Sequence, residues 1–199
     1  MTDGDGKGTD VKPVLRSLKG VGVGALAAVL LAGCGSEKDA GASAAEGWKS
    51  LDAQRLTVSY PPGFTELGAA DRGSHTAAAA TLTEGAKTVG KVGVQINFTT
   101  ATSAEMAAIG AEASVQLGST LGGQKKVGVR GTDDARRVDY EFTSTGQQNT
   151  PPKGTRMTGV DIVGMDKKDE AFLVRINAVK GKLSEDDIGK IVESIRVTG

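Results

Sequence analysis

The chain has 199 residues and a mass of 20.3 kDa, which suits one folded domain beside any processing segment. Its 24 Lys+Arg balance 24 Asp+Glu, so no net basic field gathers nucleic acid. One Cys excludes an intramolecular disulfide framework and a multi-Cys zinc site, and one His excludes any site that needs two imidazoles.

In chain order, the first feature is Val21 to Leu31, VGVGALAAVLL, uncharged and apolar throughout. A membrane-spanning helix needs roughly 20 such residues. This shorter run has the length of the apolar centre of a secretory signal. Lys12, Arg16 and Lys19 precede it as the positive flank that stays cytoplasmic during insertion. Gly20, Gly22 and Gly24 alternate with Val, but no strand precedes them and the segment is one that processing discards, so a dinucleotide reading is rejected.

The run ends in Leu31-Ala32-Gly33-Cys34, which resembles the lipobox of bacterial lipoproteins. That resemblance implies a diacylglyceryl group on the Cys34 sulfur, cleavage between Gly33 and Cys34, and retention at the extracytoplasmic face of the cell membrane. The residue types suit the chemistry: Ala32 and Gly33 admit a peptidase to the backbone, and only Cys offers a thiol for the thioether. Two acyl chains, at about 0.8 kcal/mol per buried CH₂, hold far more firmly than one. From Gly35 to Gly47 the chain turns small, polar and charged, without apolar periodicity. It reads as a tether with a span on the order of 20 Å. The expected division is a lipoprotein signal peptide at 1–33, the lipidated Cys and flexible tether at 34–48, and one globular domain at 49–199.

Within the domain, Leu56 to Tyr60 reads as a short strand ended by Pro61-Pro62-Gly63. Val92, Val94, Ile96 and Phe98 alternate with Gly93, Gln95 and Asn97, and Val138, Tyr140 and Phe142 with Arg137, Asp139 and Glu141. Both patterns describe strands with one buried face. Phe172 to Ile176 is apolar on both faces and joins the run around Val160 and Ile162 through a polar hairpin, Asp166 to Asp169. Ala77 to Thr83 and Val127 to Arg130 are weaker strand candidates. Thr102 with Glu105 forms a capping-box signature and Gly118 offers a stop. Between them Met106, Ile109, Ala113 and Leu117 form one apolar stripe, expected to cover the sheet. A second helix opens at Ser184 with Asp187 at the third position, stapled by Leu183 and Ile188, and buries Ile188, Ile191, Val192 and Ile195. The order predicts an α+β domain, a largely antiparallel β-sheet covered by two helices.

That order, with Tyr60-Pro61-Pro62-Gly63-Phe64 near its start and Ser194-Ile195-Arg196-Val197 at its end, resembles the Mog1/PsbP-like fold. Within it, the chain is most similar to the LpqN-like lipoproteins of actinobacteria, which share a lipobox and tether. The resemblance implies a non-enzymatic, surface-held module linked to partner binding or envelope biogenesis. It supplies no catalytic residues and no cofactor.

The residues themselves assemble no catalytic set. His75, in Arg72-Gly73-Ser74-His75, has no Ser in a G-x-S-x-G elbow to serve. Asp133-Asp134 and Asp166/Asp169/Glu170 read as turns, and Glu185-Asp186-Asp187 as the first turn of a helix, where acids complement the dipole. No metal site is expected. Lys125-Lys126, Arg130 and Arg136-Arg137 read as solvated strand faces, or as contacts to anionic headgroups. Tyr60, Pro61, Pro62 and Phe64 form a candidate binding loop that either closes the core or lines a groove. The expectation is a lipid-anchored envelope protein, not an enzyme, whose domain binds an envelope protein partner and no nucleic acid. A carrier for a lipid or other apolar molecule, with a pocket between helix and sheet, and a hydrolase with two carboxylates across a cleft, stand as alternatives.

Overall fold

The computed structural model describes residues 46–115 and 117–198. The expected signal peptide, Gly33, Cys34 and nearly all of the tether lie outside the described residues. The strands are β1 (Lys49–Ala53), β2 (Leu56–Tyr60), β3 (Thr65–Glu66), β4 (Ala78–Glu84), β5 (Lys87–Ile96), β6 (Thr120–Lys126), β7 (Ala135–Thr143), β8 (Arg156–Met165), β9 (Ala171–Val179) and β10 (Arg196–Val197). Two α-helices, α1 (Ala104–Ala113) and α2 (Glu185–Ser194), complete the domain. The seven strands β3-β4-β5-β9-β8-β7-β6 form one sheet and β1-β2-β10 a smaller one, with antiparallel pairing between the named strands. The α+β class read from the sequence is the class found.

Two cores explain the patterning. Val92, Val94, Val160, Ile162, Val174 and Ile176 point from the large sheet toward α2 and the small sheet. Val138, Tyr140, Val163 and Leu173 point the other way, toward α1. β8 and β9 lie at the centre, covered on both faces, so they are apolar on both, whereas β7 alternates. α2 follows the sequence closely: Ser184 and Asp187 close the capping box, and Ile188, Ile191 and Val192 are buried.

Several expectations are corrected. Ser103, not Thr102, caps α1, accepting from the Met106 amide, and the helix ends at Ala113 rather than near Gly118. Residues 127–130 are not a named strand; the chain pairs earlier, as β6, an edge strand exposed along nearly all its length. With no buried face, β6 carries no alternation to read. Phe98 does not share a face with Val92 and Val94. Asn97 adopts a left-handed φ of 55°, which swings Phe98 into the core beneath α1. β1, β3 and β10 had no signal: two are two residues long, and β1 buries only Leu51 and Ala53.

Two glycines make room for rings. A Cβ at Gly159 would fall 2.1 Å from the Tyr140 ring, and one at Gly164 would fall 2.5 Å from Phe172. In both cases the aromatic ring occupies the space that a side chain at the glycine would fill. Arg55, at the β1–β2 turn, reaches Asp166 (3.1 Å) and Glu170 in the β8–β9 hairpin, tying the small sheet to the large one.

Candidate functional site

The face of α1 that meets the sheet is made of Ala104, Ala107, Ala108 and Ala111, all fully buried. Small side chains let the helix axis settle close to the strands, against Val138, Val163 and Leu173. The expected buried stripe is therefore turned outward: Met106 is 56% exposed, Ile109 57% and Leu117 96%. The spacing was a true apolar stripe, but alanines at 104, 107, 108 and 111 compete for the same sheet and fit closer. Leu121, 46% exposed, pairs with Tyr140 and so stands on the α1 side of the large sheet. These four are the exposed large apolar side chains among the described residues, and all lie in α1, β6 and the turn between them.

A buried polar network fixes this platform. Asp161 on β8 is fully buried and accepts two bonds from Arg175 on β9, Nε to Oδ1 at 2.9 Å and Nη2 to Oδ2 at 2.6 Å. The same Nη2 donates to Ser114 Oγ at 2.9 Å and lies 3.5 Å from the Ala111 carbonyl, so a cation sits at the C-terminal end of α1. The Tyr140 hydroxyl donates to Asn177 Oδ1 at 2.7 Å and stands 3.2 Å from Asp161 Oδ1. Burial, then the Asp161 charge, pushes the Tyr140 hydroxyl far above its ordinary value. Burial also pushes the Asp161 carboxyl up, against the pull of Arg175 and Tyr140. The network was missed in the sequence, where Asp161 and Arg175 stand as single charges in apolar strands; a charge at a doubly covered central position was the available signal.

The outward orientation predicts an asymmetry in stability. Replacing Met106 and Ile109 by Ser is expected to change stability by no more than about 0.5 kcal/mol each. Replacing Ala111 by Leu should cost about 1–3 kcal/mol by lifting the helix. Urea denaturation of the three variants checks this.

The expected binding loop is placed differently by residue. Tyr60, Pro61 and Phe64 are buried, with the two rings 6.4 Å apart, and only Pro62 of the four is exposed. The two rings are spent on closing the core. His75 is exposed on an open cleft of about 620 Å³ that it shares with Gln54, Ser74, Gln95 and Asn97, whose lining carries no carboxylate.

A second cleft, about 270 Å³, lies between β6, β7 and the start of α2 and is bordered by Asp139, Glu141 and Glu185. Burial pushes the Asp139 carboxyl up, yet Arg137 Nη2 at 2.6 Å from Oδ1 and Lys125 Nζ at 3.2 Å from Oδ2 together hold it below its ordinary value. Lys180, then Arg156, does the same for Glu141. A paired-carboxylate hydrolysis needs one acid raised to hold its proton, and these two are pulled the other way. Arg136 meets Glu105 and Asp134, each at 3.5 Å. Most of the basic spots are thus engaged with neighbouring acids. Among the described residues no cluster of His, Cys, Asp and Glu could hold a metal ion, and no helix is long and apolar enough to cross a membrane.

No family model matches the chain, and no curated protein matches it. Among solved structures, a protein of Bacteroides thetaiotaomicron VPI-5482 overlays 76% of this chain at a TM-score of 0.46 and 11% identity. This chain spans about half of that protein's length, 48%. A protein of unknown function from Pseudomonas aeruginosa overlays 71% of this chain and 90% of its own, at a TM-score of 0.36 and 9% identity. Overlays this loose say nothing about family or activity.

Proposed function

We propose that the protein is a lipid-anchored, extracytoplasmic envelope lipoprotein whose domain is a non-enzymatic binding module for a partner protein. The observation that carries the binding half is the outward apolar face of α1 and β6. Exposed large apolar side chains gathered on one face of a small domain mark an interaction surface, because scattering is the ordinary outcome. The anchoring half comes from the sequence, through Leu31-Ala32-Gly33-Cys34 after a short apolar run. The order of strands, helix, strands and helix supports reading the domain as Mog1/PsbP-like and the chain as LpqN-like. A carrier would need apolar space under a helix, and beneath α1 that space is taken up by Ala107, Ala108, Ala111, Val138 and Leu173.

Cys34→Ala is expected to move the protein from the detergent phase to the aqueous phase on detergent partition, or to leave its leader uncleaved. Folding of the domain should be unchanged, because position 34 precedes it. Intact mass of the exported wild type should show a diacylglyceryl adduct; a bare thiol would end the anchoring half of the proposal.

A further inference from the structure

Resting on the reading of the α1–β6 face as a binding surface, we infer what that face accepts: an amphipathic helix of another protein, carrying Lys or Arg beside its apolar stripe. At 100° per residue Met106, Ile109 and Ala113 share one exposed stripe of α1, and Glu105 and Glu112 lie together on one flank. The helix contains no basic residue. Glu105 is largely exposed and touches Arg136 only at 3.5 Å, while Glu112 has no ion-pair partner among the described residues. At Glu112 the flank therefore offers negative charge that the domain does not consume itself. Ala113 is exposed and small, so the stripe is low at its C-terminal end and lets a second helix approach closely. The alanine floor and the Arg175 clamp hold the stripe rigid, so little ordering cost falls on binding.

The charge pattern selects among occupants. A second copy, packing α1 antiparallel on α1 about a two-fold axis, would lay the glutamate flank of one helix along the same flank of the other. β1, the first described strand, lies across the large sheet from α1. A basic-flanked helix satisfies the apolar stripe and the Glu112 carboxylate at once.

The test uses the full lipidated chain in zwitterionic nanodiscs, with a fluorescent Leu/Lys amphipathic helical peptide, its Leu/Glu counterpart, and phosphatidylglycerol vesicles; empty nanodiscs supply the background. The Leu/Lys peptide should bind, and Ile109→Ser and Glu112→Lys should each weaken it by about tenfold or more. The Leu/Glu peptide should bind at least about tenfold more weakly than the Leu/Lys peptide. If both peptides bind alike and Ile109→Ser abolishes both, the surface stands and the charge assignment is overturned. Ile109-dependent dimers in sedimentation, or Ile109-dependent capture of the vesicles, would overturn the helix assignment in favour of a second copy or a membrane. If Ile109→Ser changes none of these readouts, the inference and the binding-module reading fall together.

Discussion

Asp161→Ala is expected to destabilise the domain by about 3–5 kcal/mol, the cost of breaking a buried ion pair by removing one partner. For a domain of this size that lowers Tm by roughly 10 °C or more. The loss is large because Asp161 holds Arg175 by two bonds, and Arg175 in turn reaches Ser114 and the Ala111 carbonyl. Removing the acid loosens the end of α1 as well as the β8–β9 pair. Asp161→Asn, which keeps an acceptor, should lose less. The partner variant adds a pH signature. Arg175→Met leaves the carboxyl at 161 buried without its cation, and burial already pushes that group up in the parent. The folded variant then holds a proton that the unfolded chain releases near its ordinary value of about 3.9. Its stability is therefore greatest in acid and falls as pH rises from there through the raised folded value. Urea midpoints between acid and neutral pH read this directly. A midpoint that stays flat, or climbs toward neutral, would show that the carboxylate of Arg175→Met is solvated.

Phe172→Ala is the second large loss, about 3–5 kcal/mol. Phe172 is fully buried and heads the largest side chains of the core between the sheets. Its ring lies against Gly164, directly opposite it on β8, where backbone is the only other cover. Truncating the ring leaves a cavity that no neighbour on that strand can fill. The reciprocal change, Gly164→Ala, should cost about 1–3 kcal/mol by overpacking, since its Cβ would meet the ring at 2.5 Å. Combining Gly164→Ala with Phe172→Leu should restore part of what the two changes lose separately, because the two positions compete for one volume. Chemical denaturation of the three variants tests it. Strict additivity would argue against that shared volume.

Legibility in the sequence followed the depth of burial. β5, β7, β9 and α2 each have one or two fully covered faces, and their apolar periods could be read with the correct faces. α1 was legible as a helix with a stripe, yet its orientation was not. Periodicity reports that apolar side chains share a face without saying whether that face meets the core. The alanines were the missing clue, since a helix pressed against a sheet favours small residues where its axis comes closest. β6 is exposed on both sides, β1 buries only two residues in its hairpin with β2, and β3 and β10 are two residues long with partners farther along the chain, so local patterning carried nothing about them. The turn after β5 hid its consequence too: one residue of left-handed backbone at Asn97 sends Phe98 to the opposite core. Of the candidate site, Met106, Ile109 and Leu117 were singled out with the wrong neighbour assigned, and Leu121 was not singled out at all.

β10 works as a clasp between parts of the chain that lie far apart. Arg196 and Val197 pair with Thr57 and Leu56, the Val197 amide donates to the Arg130 carbonyl, and the Thr198 amide to that of Arg55. These residues thus stitch the β1–β2 hairpin to the loop ahead of β7. Pairings across so long a sequence separation carry a high closure cost and form late in folding. Removal of residues 196–198 should therefore unfasten the layer that carries β1 and β2 before it disturbs the large sheet.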